Sequence, residues 1–132
     1  MGEGNSYLEI ARKDLKYAKI MLQNNEYNPA GRFSQQAVEK YFKHLIEALN
    51  QADYIGYMKL HTLPKLYKIL IDNNVIEYKK ETRDYLSTLT RYYFDTNYPG
   101  EEYQELSKIE AEEAVEFAGS IIDKDTLLEE LS

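Results

Sequence analysis

The sequence has no cysteine and no tryptophan, only three prolines, and six glycines, two of them within the first four residues. Without cysteine there is no disulfide framework, no thiol nucleophile and no thiolate-ligated zinc. Histidine is nearly as scarce. His44 and His61 stand on different segments, without the His-x-x-x-His or Glu-x-x-His spacing that sets two ligands on one helical face, so neither a metal nor a cofactor is expected. No glycine cluster forms a phosphate-cradling loop, and no Gly-x-Ser-x-Gly elbow presents a serine nucleophile. No apolar run approaches the roughly 18 residues that cross a bilayer. The opening Met1-Gly2-Glu3-Gly4-Asn5-Ser6 lacks the charged-then-apolar pattern of a signal peptide. The expectation is a cytoplasmic protein with no membrane partner.

The 132 residues suffice for one domain with one core, and the 43% apolar and 30% charged content is that of a globular chain. The 13 tyrosines are its compositional oddity; tyrosine suits half-buried places, ring inside and hydroxyl wet. The formal charge of -7 is unevenly placed. Residues 101–132 carry 11 acidic and 2 basic side chains, and residues 1–100 carry 12 and 14. That balance argues against a large basic groove for nucleic acid and leaves room for a local patch.

Apolar residues recur at helical spacing and nowhere alternate for long, which predicts an all-α, up-and-down bundle of four or five helices. Ser6 and Glu9 form a capping box ahead of a helix over 7–24, whose stripe is Leu8, Ala11, Leu15, Ala18 and Leu22. Arg12, Lys16 and Lys19 make a basic row beside it, either a solvated face or, with Arg32, an anion patch. Asn28 as cap and Pro29 in the first turn open a second helix to about residue 52. Its wide stripe, including Phe33, Ala37, Val38, Tyr41 and Phe42, suits a central helix. Thr62 caps a third helix with Leu63, Leu66, Tyr67 and Leu70 inward. A fourth spans 81–94 with Tyr85, Leu86, Leu89 and Tyr93. Ser107 and Glu110 form a second capping box, opening a fifth helix with Ala111, Ala114, Val115, Ala118, Ile121 and Ile122 on one stripe. The expected division is a helical bundle over 1–122 and an acidic tail over 123–132.

Two segments concentrate polar and aromatic side chains. In the second helix, Gln35, Gln36, Glu39 and Lys40 adjoin the apolar seam, where they either line a cleft or act structurally, Glu39 pairing with Lys43 one turn on. At the end of the fourth helix, Asp95 is spaced to pair with Arg91, and Tyr92, Tyr93 and Tyr98 serve either to stack a base or to pack a core or dimer contact.

Gln35-Gln36-Ala37-Val38-Glu39-Lys40, taken with Arg12-Lys13-Asp14-Leu15, His61-Thr62-Leu63-Pro64 and Arg91-Tyr92-Tyr93-Phe94-Asp95-Thr96-Asn97-Tyr98-Pro99, resembles the HEPN domain family over about residues 6–122. The resemblance implies a small helical bundle, often a homodimer. It implies one of two roles: partner of a minimal nucleotidyltransferase in a toxin–antitoxin pair, or metal-independent ribonuclease marked by Arg, four to six residues, then His. Here Arg91 is followed six residues on by Asn97, and no histidine occurs from 92 to 132. A carboxamide does not shuttle protons near neutral pH as an imidazole does. The related Arg-Tyr-Pro-Asp ending is also altered, to Asn97-Tyr98-Pro99-Gly100. The reading is therefore an accessory protein that binds a nucleotide or a protein partner without chemistry of its own, with Gln36, Glu39, Lys40, Arg91, Asp95 and Tyr98 as its ligand-binding candidates. The alternative is a degenerate RNA-cleaving toxin using Arg91 and Asn97, assisted by His61.

Overall fold

The computed structural model describes residues 6–49, 56, 62–97 and 105–131. Among them are five helices and no strand: α1 Tyr7–Gln23, α2 Tyr27–Glu47, α3 Leu63–Asp72, α4 Lys80–Asn97 and α5 Lys108–Leu131. The all-α expectation holds.

Both serines cap their helices, and the Ser107–Glu110 box is reciprocal, whereas the Glu9 carboxylate takes the Ser6 hydroxyl rather than its amide. The Glu9 amide donates to Ser6 Oγ at 3.1 Å, and the Ser6 hydroxyl to Glu9 Oε1 at 3.2 Å. The Glu110 amide donates to Ser107 Oγ at 3.1 Å while Glu110 Oε1 accepts from the Ser107 amide at 2.9 Å. Helix α1 stops at Asn24, whose side-chain amide donates to the Ile20 carbonyl at 2.8 Å. Asn25 then takes the left-handed conformation (φ 59°) that asparagine tolerates, and the Glu26 amide closes on the Met21 carbonyl at 2.8 Å. So short a connection doubles α2 back along α1.

Several expected caps and limits differ. Helix α2 starts at Tyr27 with Glu26 in the cap position, and Asn28 is already inside it. Asn28 is recruited elsewhere: its Oδ1 accepts the Leu106 amide at 2.8 Å, tying the approach to α5 onto the start of α2. Helix α2 ends at Glu47, five residues short of the expected limit. Thr62 occupies the cap position of α3 without a side-chain capping bond; the Leu63 amide instead donates to Thr90 Oγ1 of α4 at 3.2 Å, a cap supplied across the bundle. The last helix runs on to Leu131, through the segment read as tail.

Helix α2 is the hub, packing on α1, α3, α4 and α5. Its Ala37, Val38, Phe42 and Ile46 are buried with Leu15, Leu63, Leu66, Leu70, Leu86, Leu89 and Ile122 in the main core. A smaller cluster of Ala18, Ala30, Ala111 and Val115 closes the α1–α2–α5 junction. These small residues let the helices approach, and Gly31 lets Leu106 lie against α2: a Cβ there would collide with the Leu106 side chain.

Candidate functional site

The register of α1 against α2 sets a polar cluster inside the apolar seam. Asp14 falls between Ala11, Leu15 and Ala18 on the inward stripe of α1, so its carboxyl is buried by the register that buries its neighbours. On α2, Gln35, Glu39 and Lys43 are buried at i, i+4 and i+8. Lys43 Nζ donates to Glu39 Oε2 at 2.9 Å, and Gln35 Nε2 to Glu39 Oε1 at 3.2 Å. Lys40 Nζ stands 3.6 Å from the same carboxylate. Gln36 sits half-buried on the same helix.

The two carboxyls respond oppositely. Burial raises the Asp14 pKa to about 6; the Glu39 charge adds to that and the Lys40 ammonium opposes it. Burial pushes Glu39 up as well, but the hydrogen bond and charge of Lys43, the Gln35 amide and the Lys40 charge outweigh it and leave its pKa lowered. Glu39 is thus a neutralised structural anion, and Asp14 a carboxyl poised to take up a proton.

The second set of candidates lies at the C-terminal end of α4. Tyr92 turns inward, its hydroxyl donating to Glu110 Oε2 at 3.4 Å, and burial together with the Glu110 charge raises the phenol pKa. Arg91, one residue before it, points outward, its side chain 61% exposed, with Nε 4.0 Å from Asp95 Oδ2. Tyr93 and Phe94 pack edge to face, ring centroids 5.4 Å apart. Asn97 is the last residue of α4. Its side chain, Tyr98 and His61 lie outside the described residues.

Gln35, Glu39 and Lys40 are thus brought together, as are Arg91 and Asp95, while the partners described for the first set are Lys43 and Asp14 rather than Arg91. Two members of the buried cluster, Asp14 and Lys43, are absent from the candidates read in the sequence. Asp14 is detectable as the one charge on the inward stripe of α1; the burial of Lys43 becomes visible only when α2 is packed on several sides. Among the described residues, no group of three or more His, Asp or Glu side chains is placed to hold a metal ion. No described helix is long and apolar enough to cross a membrane.

Comparison with known proteins agrees with this architecture. The crystal structure of TT1696 from Thermus thermophilus is similar, with a TM-score of 0.71 and 26% identity over 93% of this chain and 95% of that one. No curated protein gives a significant match. The family model described as HEPN domain matches residues 5–128, nearly the whole length. That match, over a chain whose described helices centre on α2 with the Gln-Gln-Ala-Val-Glu-Lys segment folded into their seam, places the chain in the HEPN domain family.

Proposed function

We propose that this chain is an accessory HEPN protein that binds rather than cuts: a cytoplasmic homodimer that is the nucleotide-binding or partner-binding component of a nucleotidyltransferase toxin–antitoxin pair. The observation that carries the reading is the state of the Arg91 end of α4. A metal-independent RNA cut takes a proton from the 2′-hydroxyl and gives one to the leaving oxygen. Within reach of Arg91 along the chain stands Asn97, which has no titrating nitrogen, and the described partner of Arg91 is a carboxylate, Asp95. Loss of general acid–base help costs about 10²–10⁴-fold. An arginine kept without its proton carrier still serves as an anion contact or an interface residue.

Two measurements test the reading. Analytical ultracentrifugation reads the oligomer, with a dimer expected. Co-purification with the product of an adjacent nucleotidyltransferase gene reads the partner, with a stoichiometric complex expected. A monomer that binds neither that protein nor any nucleotide contradicts the proposal.

A further inference from the structure

A cavity of about 420 Å³ opens between α3 and the start of α4, and none of the ligand-binding candidates above is among its described lining residues. Pro64 and Ile71 give it apolar walls, and the Tyr67 and Tyr78 rings lie beside it, centroids 6.2 Å apart and planes tilted by 39°. Lys65, Lys68 and Arg83 also line it, and no carboxylate is among its described lining residues. A concave, mainly apolar site with a few convergent polar groups of one sign is the usual form of a small-molecule pocket.

The aromatic wall is fixed by the local fold. Asn73 caps α3, its side-chain amide on the Ile69 carbonyl at 2.8 Å, and Asn74 turns the chain in the left-handed conformation (φ 58°). The Tyr67 hydroxyl then grips the returning chain on both sides of Tyr78, donating to the Glu77 carbonyl at 3.3 Å and accepting from the Lys79 amide at 2.9 Å. Tyr78 is held at the mouth, 49% exposed, a large aromatic face kept out of the core.

The other described grooves lack this combination. The one between α4 and α5 is walled by Glu81, Glu113 and Glu116. The one along the basic row of α1 already contains Asp123, 3.7 Å from Lys19. Two cations of the α3–α4 cleft are paired with carboxylates, Lys68 with Asp72 at 2.7 Å and Arg83 Nε with Asp84 at 3.6 Å. Both pairs are exposed, and such pairs exchange readily for a doubly charged phosphate.

We propose that this cleft is a nucleoside monophosphate site, the base lying against Tyr78 and the phosphate held by Arg83 and Lys65. Every base has a face to stack on an aromatic ring, and a guanidinium matches phosphate oxygens two at a time. The proposal rests on the nucleotide half of the functional reading and moves it from Arg91 to α3 and α4. Isothermal titration with AMP, GMP, CMP and UMP in turn, with adenosine and inorganic phosphate as controls, tests it. At least one monophosphate is expected to bind one per chain, more tightly than either control. Arg83→Gln and Tyr78→Ala are each expected to weaken binding about tenfold or more, Arg83→Gln with the melting temperature unchanged and Tyr78→Ala with a drop of a few degrees from the lost Tyr67 ring contact. Arg91→Ala is expected to leave it within about twofold. The cleft is ruled out if none of the four binds, if both variants bind as the natural protein does, or if phosphate alone binds as tightly. Binding lost only in Arg91→Ala would contradict the cleft while sustaining nucleotide binding at the α4 end.

Discussion

Glu39–Lys43 and Arg91–Asp95 are both i,i+4 ion pairs on long helices, yet the first is 2.9 Å apart with side chains 6% and 3% exposed, and the second 4.0 Å apart with Arg91 61% exposed. Identical spacing in sequence has given two different objects. The first arises where α2 is covered on several sides, so that each charge depends on the other for solvation. The second arises where α4 meets solvent, so that water competes with the pair and leaves the arginine available. The buried pair is shielded from solvent, and Arg91 of the other pair is open to it.

The sharpest way to break this contrast is Lys43→Met. It leaves Glu39 buried without its main cation, and a loss of about 3–5 kcal/mol in urea unfolding is expected. The double variant Glu39→Met with Lys43→Met is expected to recover most of it, because a desolvated pair is often replaceable by apolar groups of similar volume. Gly31→Ala probes the neighbouring α2 face, where packing rather than charge sets the cost. The collision with Leu106 is expected to destabilise by about 1–3 kcal/mol without altering the pH dependence.

Asp14 gives a smaller effect of opposite sign. Its folded pKa, raised to about 6, lies above the unfolded value of 3.8. Its stabilising contribution is full below the unfolded value and is lost as pH rises through about 6. Asp14→Asn is expected to stabilise the protein by about 1 kcal/mol at about pH 7.5, with the gain shrinking by about pH 5. Glu39, lowered, has the converse dependence: its contribution is present above the ordinary glutamate range and lost as pH falls below it. The Asp14 effect is therefore read on the neutral side of that range, where Glu39 stays ionised. Smallest of all, Arg91→Ala is expected to change stability by less than about 0.5 kcal/mol, because the arginine is exposed and its contact with the half-buried Asp95 is long.

Much of the fold was legible because the cues are local. The Ser6 and Ser107 boxes and the Leu63, Leu66, Tyr67, Leu70 stripe need only neighbouring residues to be recognised. What escaped depends on distant partners. Asn28 reads as a cap until the Leu106 amide, 78 positions away, claims its oxygen, and Thr62 loses its capping role to Thr90. Tyr92 rather than Tyr93 turns inward on α4, because Glu110 and the α5 face lie on that side. The candidate site was legible in the same uneven way. The Glu39–Lys43 pairing follows from spacing, whereas its burial follows from how α2 is packed by the neighbouring helices.

The most direct test of the central claim, that the Arg91 end of α4 has lost its cutting chemistry, is to incubate the purified protein with a structured RNA transcript in EDTA and resolve the products on a denaturing gel. The account predicts intact RNA after hours, the same as with Arg91→Ala. Discrete fragments from the natural protein that disappear in Arg91→Ala would contradict it.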